Sequence, residues 1–148
     1  MSLKETLMQD MKTAMKEKDQ LKKNVVTMIR AAVLQTEKDT KTELDDNGVL
    51  DIIAKQLKQR RDALIDFERG GRQDLVDLTN AEIEMILTYM PEQLTTEELT
   101  KMIKDSVEKL GITQPKEMGR LMSDLMPQVK GRADGKTINA IARELLSE

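Results

Sequence analysis

The segment Met118-Gly119-Arg120-Leu121-Met122-Ser123-Asp124-Leu125-Met126-Pro127-Gln128-Val129-Lys130-Gly131-Arg132-Ala133-Asp134-Gly135-Lys136-Thr137-Ile138-Asn139 carries the most specific turn chemistry in this chain. Its first part places Met and Leu at helical spacing and predicts helix six. Pro127 is predicted to end that helix, because a proline lacks the N–H that a helix interior needs. Two glycines then permit a sharp turn, and Asp134 is a candidate N-cap for a last helix. The segment predicts two helices joined by a tight, basic corner, which we define as residues 130–136.

The composition of the whole chain favours helices. Lys, Glu, Leu, Met, Gln and Ala are frequent among its 148 residues, and these residue types have high helix propensity. The single Phe, the single Tyr and the absence of Trp leave few aromatic residues for strands. With 39% apolar and 34% charged residues, a core is feasible but must be thin, as between paired helices. The composition therefore predicts an all-α fold.

Caps and glycines divide the chain into helices. Ser2 with Glu5, and Thr95 with Glu98, are capping-box signatures that begin helix one and helix five. Gly70-Gly71 disfavours helix and permits a reversal, so helices three and four are predicted to form a long antiparallel hairpin. The apolar periodicity places the helices at about 3–18, 20–38, 49–69 and 72–89, then three more from residue 96 onward, the last over about 136–147.

A proline marks the predicted domain boundary. Pro91 is predicted to end helix four, because the residue before a proline avoids helical geometry. The boundary is therefore placed within Tyr89-Met90-Pro91-Glu92-Gln93-Leu94. We predict an N-terminal helical bundle with a long helical hairpin over residues 1–92 and a C-terminal three-helix domain over residues 93–148.

Missing residue types exclude several kinds of chemistry. The chain has no Cys and no His, which removes disulfides, thiol catalysis, the commonest general base and the commonest metal ligand. Its carboxylates lack metal-loop spacing, its four serines lie outside Gly-rich loops, and it has no phosphate-binding loop for ATP. We therefore predict no catalytic residue, no metal and no cofactor. Because no apolar run reaches membrane-spanning length, the sequence predicts a soluble cytoplasmic protein with no membrane partner.

The corner region carries the only positive bias in the second half of the chain. The net charge of the whole chain is −3, but residues 113–143 hold six basic and three acidic residues. Basic side chains and glycine N–H groups there could meet the phosphates of an RNA. The alternative is that the glycines only permit the turn and the bases are solvated. The candidate nucleic-acid-binding residues are Lys116, Arg120, Lys130, Gly131, Arg132, Gly135, Lys136 and Arg143.

A second cationic cluster lies on helix three. Its members are Lys58, Arg60 and Arg61, and Arg69 and Arg72 extend it towards the paired glycines. It could be a further RNA surface, but we favour an exposed charged face whose bases pair with acidic neighbours at helical spacing. Those neighbours are Asp62, Asp66 and Glu68.

Several motifs along the chain resemble the YqeY family of small bacterial proteins. They are Leu57-Lys58-Gln59-Arg60-Arg61-Asp62, Leu75-Val76, Tyr89-Met90-Pro91-Glu92-Gln93-Leu94, Met118-Gly119, Met126-Pro127, Lys130-Gly131-Arg132-Ala133-Asp134-Gly135 and Ile138-Asn139. This resemblance covers essentially the whole chain. Residues 95–148 also resemble the helical tail domain of GatB, the B subunit of the glutamine-dependent tRNA amidotransferase.

The resemblance implies an all-α, two-part fold and a role near tRNA. The GatB tail is understood to contact the body of tRNA rather than to do chemistry, which implies a non-catalytic adaptor that meets tRNA through the corner. Its partners would be tRNA and a tRNA amidotransferase or aminoacyl-tRNA synthetase component. Two alternatives remain open. The protein could be a component of amide transfer onto misacylated tRNA, or a protein-interaction module that uses a Met-lined face of helices five to seven.

Overall fold

The computed structural model describes residues 1–147 and contains α-helices joined by short turns. The predicted all-α class is confirmed, with no strand among the described residues. The helices are α1 (Leu3–Glu17), α2 (Gln20–Thr40), α3 (Asp46–Arg69), α4 (Gln73–Leu87), α5 (Thr96–Leu110), α6 (Met118–Val129) and α7 (Gly135–Leu146), with a 3₁₀ turn at Pro115–Glu117.

The chain divides into two compact units. Unit 1 is Met1–Met90 and unit 2 begins at Pro91. The division falls just before the predicted boundary after residue 92. Each unit encloses an apolar cluster of its own, so each can be described by itself.

Unit 1 is built from the α1–α2 pair and the α3–α4 pair. The predicted capping box at α1 is confirmed, since Ser2 and Glu5 exchange side chain to backbone hydrogen bonds. The start of α3 differs from the prediction by three residues, because the Asp45 side chain caps the helix by accepting from Gly48 N at 2.9 Å. Tyr89 follows the end of α4, and its hydroxyl donates a hydrogen bond to the Asp10 carboxylate of α1. The buried core of unit 1 consists of Leu7, Val25, Val26, Ile29, Val33, Val49, Ile53, Leu57 and Ile86.

Unit 2 packs α6 and α7 against α5. The predicted capping box of Thr95 and Glu98 begins α5 and is confirmed. Gly111 ends α5 in the left-handed conformation, with φ 67°. The buried core of unit 2 consists of Leu99, Ile103, Ile112, Leu121, Leu125, Val129, Ile138, Ala142 and Leu146.

The prediction that Pro127 ends the sixth helix is wrong. Helix α6 continues through Pro127 to Val129, and Lys130 N closes its last turn by donating to Met126 O at 3.0 Å. A proline in the last turn removes one N–H donor, and fully buried Val129 holds that turn against the core. The corner therefore begins directly after the helix.

Candidate nucleic-acid interface

The corner turns the chain through a left-handed glycine. Gly131 has φ 76°, a conformation that costs glycine little and other residues more. The N–H groups of Arg132 and Ala133 both donate to Val129 O, at 2.8 and 3.2 Å. Asp134 is the N-cap of α7, as predicted, and its side chain accepts from Lys136 N at 3.3 Å. The turn is thus closed by its own backbone and by one carboxylate.

Three hydrogen bonds tie the corner to the chain just before α5. The Gln93 side-chain amide donates to Gly131 O at 2.7 Å, and Leu94 N donates to Arg132 O at 2.9 Å. The Arg132 Nε atom donates in turn to Glu92 O at 3.1 Å. Arg132 is half-buried, and the hydrogen bond of its Nε atom helps to hold the turn. Sequence reasoning missed this role of Gln93, because its partner lies 38 residues away and no local pattern reports such a contact.

The eight predicted residues are distributed over several elements of unit 2. Five of them share the corner, where Lys130 and Lys136 are exposed and Gly131, Arg132 and Gly135 are half-buried. Lys116 lies in the 3₁₀ turn before α6, and Arg120 lies in the first turn of α6, about 15 Å from Lys130 along the helix axis. Arg143 lies in the last turn of α7. Lys116, Arg120 and Arg143 therefore lie outside the corner itself, and their part in RNA binding stays a prediction.

Arg120 holds the end of α5. Its Nη2 atom donates to Leu110 O at 3.2 Å, and its Nη1 atom lies 3.4 Å from Glu117 Oε1. The N–H of Thr113 donates to Glu117 and lowers the pKa of this carboxyl, and Arg120 and Lys116 lower it further. These contacts support a structural role for Arg120, since it satisfies a carbonyl that the helix leaves open.

Gly135 leaves open space at the start of α7. Apart from its chain neighbours and the backbone of its own helix, no heavy atom of the described residues lies within 4 Å of where its Cβ would be, and its φ is not positive. Neither the turn nor the packing of unit 2 therefore requires glycine at this position. The start of α7 is a helix N-terminus, which favours negative charge, and its Lys136 N–H is capped by Asp134. The corner thus combines two exposed lysines with an accessible helix start.

A second polar cluster in unit 2 joins α5 to α6. The buried Ser106 hydroxyl donates to Asp124, and Lys109 Nζ lies 3.1 Å from the same carboxylate. The Ser106 hydrogen bond and the Lys109 ammonium lower the pKa of Asp124. A carboxylate with a lowered pKa is a weak base, and a serine with 4% exposure is shielded from a substrate. The cluster is suited to joining helices rather than to nucleophilic catalysis.

Most methionines of unit 2 belong to its core. Met102, Met118 and Met122 pack against the buried cluster as half-buried side chains. Among the described residues of this unit, Met126 is the large apolar side chain that stands exposed, at 41%. Within residues 1–147, no group of three or more carboxylates is placed to hold a metal ion.

The interpretation of the second cationic cluster as an exposed face is wrong for Arg60. This side chain is buried, and its acidic neighbour is Glu82 on α4, with 3.7 Å between Arg60 Nη2 and Glu82 Oε2. The sequence pointed to acids on the same helix. The fold of the α3–α4 hairpin instead presents an acid from the facing helix.

Comparison with known proteins identifies the family. A family model described as Yqey-like protein matches residues 4–146. The chain belongs to the YqeY family. Curated relatives include fungal proteins, each named "Altered inheritance of mitochondria protein 41, mitochondrial".

The match with this chain covers only part of the length of each relative. The protein from Pyrenophora tritici-repentis is 28% identical over 86% of this chain and 71% of its own length. The protein from Kluyveromyces lactis is 30% identical over 89% of this chain and 69% of its own length. The protein from Vanderwaltozyma polyspora is 30% identical over 76% of this chain and 64% of its own length. The matches thus span about two thirds of the length of these relatives.

The relatives overturn two expectations from the sequence. The chain was expected to be bacterial and cytoplasmic, whereas the relatives are eukaryotic and their names place them in mitochondria. Both expectations are wrong on this finding. Separately, no described helix is long and apolar enough to cross a membrane.

Proposed function

We propose that this YqeY-family protein is a non-catalytic adaptor that contacts tRNA through the corner, residues 130–136. The observation that carries the proposal is the way in which the corner is held. Its backbone is fixed by hydrogen bonds to the segment before α5, so exposed Lys130 and Lys136 stand on a turn that is already ordered. Binding to an ordered surface costs less conformational entropy than binding that must first order a loop.

The chemistry of the corner suits a phosphate backbone. Two ammonium groups attract phosphates, and the partial positive charge at the start of α7 adds to that attraction. Open space beside Gly135 would allow a phosphate to approach the backbone there. The Asp134 carboxylate, which would repel a phosphate, already accepts a hydrogen bond from Lys136 N. Contacts of this type recognise the shape of a structured RNA rather than its base sequence.

The resemblance of residues 95–148 to the GatB tail supports the same assignment. That tail is understood to contact the body of tRNA, and a shared fold would present the corner in a similar way. The resemblance further suggests a tRNA amidotransferase or an aminoacyl-tRNA synthetase component as the protein partner. Amide transfer would then require catalytic groups from that partner, because the Ser106 cluster is suited to a structural role.

The test is binding of the purified protein to total tRNA, followed by fluorescence anisotropy at low and moderate salt. The test variant is Lys130→Glu/Lys136→Glu, which leaves the anchoring side chain of Arg132 in place. Removing phosphate contacts and adding repulsion should weaken binding by about tenfold or more. Saturable, salt-sensitive binding that this variant loses is the expected result.

The control reverses two exposed lysines on α5, as Lys101→Glu/Lys104→Glu, and produces the same change in net charge. It should retain most of the affinity, since the change lies outside the corner. Equal losses in the two variants would show a diffuse charge effect and contradict the corner as the site. Absence of saturable binding at low salt would contradict the proposed contact with tRNA.

A further inference from the structure

An arginine lies buried where three helices of unit 1 meet. The Arg60 side chain on α3 is 9% exposed, and it contacts Met28 on α2, Gln56 on α3 and Glu82 on α4. Its Nη1 atom is satisfied within α3, where it donates to Gln56 Oε1 at 2.6 Å and to Gln56 O at 3.4 Å. One end of the guanidinium therefore has oxygen acceptors.

The other edge of the same guanidinium lacks them. The Arg60 Nε atom is buried and has no hydrogen-bond partner among the described residues. The neighbouring Nη2 atom lies 3.1 Å from the Met28 sulfur, which is a weak acceptor, and 3.7 Å from Glu82 Oε2. Parallel N–H groups on one edge of an arginine match the two oxygens of a carboxylate. This edge is thus shaped for a carboxylate but faces a thioether.

Met28 lies against the Nη2 end of that edge. Its side chain is 47% exposed, whereas Arg60 beneath it is buried. Methionine is unbranched and flexible, so its side chain can change rotamer without movement of the backbone. A buried N–H donor without an acceptor is costly, which favours any ligand that supplies oxygen atoms to it. A rotation of Met28 would remove its sulfur from the Nη2 atom of Arg60.

We propose that this edge of Arg60 is a binding site for a small aliphatic monocarboxylate, which enters when Met28 rotates outward. The nearby Glu82 carboxylate offsets the charge of Arg60, so a monoanion is tolerated better than a phosphate dianion. The planar carboxylate would accept from Nε and Nη2 together. The displaced thioether of Met28 would pack against the hydrocarbon part of the ligand. The site lies in unit 1 and is independent of the tRNA assignment.

The experiment titrates the full-length protein with butyrate and follows two NMR signals, the Arg60 Nε–Hε cross-peak and the Met28 methyl group. Sodium chloride at matched ionic strength corrects for salt, and inorganic phosphate is the competing anion. Both signals should shift saturably with butyrate and only weakly with phosphate. If neither signal responds saturably to butyrate, the proposal is overturned and Arg60 is a structural residue alone.

Variants separate the cover from the binding edge. Met28→Ala removes the cover and should tighten butyrate binding by about tenfold, since the ligand no longer has to displace a side chain. Met15→Ala removes another exposed methionine, at 59%, and should leave the affinity unchanged. Glu82→Gln should tighten butyrate binding and allow phosphate to bind as well. Unchanged affinity in Met28→Ala and Glu82→Gln would contradict the assigned geometry.

Discussion

At the scale of single residues, the two glycines of the corner have different physical roles. Gly131 adopts φ 76°, whereas Gly135 has an ordinary φ and open space around the position of a Cβ. The sequence indicated both as turn residues or as points of close approach to a phosphate, and it could not distinguish them. The backbone conformation makes Gly131 a requirement of the fold and leaves Gly135 free for another purpose.

We expect Gly131→Ala to destabilise the protein by about 1 to 2 kcal/mol, because an L-residue pays that cost in the left-handed conformation. Gly135→Ala is the matched control, and it should be neutral or stabilising by less than about 1 kcal/mol, since alanine favours helix. Urea unfolding followed by circular dichroism measures both. Equal effects of the two substitutions would contradict the assigned roles.

At the scale of helices, Asp124 connects α5 and α6. It accepts from Ser106 and pairs with Lys109, and both of these partners belong to α5. Together they lower the pKa of its carboxyl below the ordinary value of 3.8. The ionised carboxylate therefore stabilises the folded state at pH values above its unfolded pKa. This contribution disappears as the pH falls through the lowered folded pKa.

The contacts of Asp124 with Ser106 and Lys109 should make the free energy of unfolding decrease in acid, and Asp124→Asn should reduce that decrease. Between about pH 6 and about pH 2, the free energy of unfolding of the variant should decrease less than that of the parent protein. Asp105→Asn, which changes an exposed carboxylate on α5, is the control and should keep the parental pH dependence. Urea unfolding midpoints measured across this pH range test the prediction. An identical change of midpoint with pH in all three proteins would refute it.

At the scale of the whole molecule, the chain forms two units with separate buried clusters. The core of unit 1 joins residues from α1 to α4, and that of unit 2 joins residues from α5 to α7. Each cluster is complete within its own unit, so each unit has the apolar burial that cooperative folding needs. Unit 2 is the smaller of the two, and a smaller domain is expected to bury a smaller fraction of its surface.

We expect fragments 1–90 and 91–148 each to fold when expressed alone. Both should be helical by circular dichroism and unfold cooperatively in urea, and fragment 91–148 should have the lower free energy of unfolding. The parent chain, measured under the same conditions, is the reference. A fragment that is unstructured alone would show that its cluster is insufficient for folding.

The sequence alone determined the helical class, the two capping boxes and the N-cap at Asp134. These features depend on residues within one or two turns of each other, and their geometry follows from local spacing. It failed at Pro127, where packing of the buried residue Val129 outweighs the loss of one helical hydrogen bond. It also grouped with the corner three residues that lie outside it, Lys116, Arg120 and Arg143.

The tertiary structure alone decided which polar groups are buried and what they contact. Arg60 looked like one base of an exposed face, but the α3–α4 hairpin buries it beside Glu82. The bond from Gln93 to Gly131 joins residues 38 positions apart, and that from Ser106 to Asp124 joins residues 18 apart. Such contacts arise because helix packing brings distant segments together, and no periodic pattern in the chain encodes which distant side chains will meet.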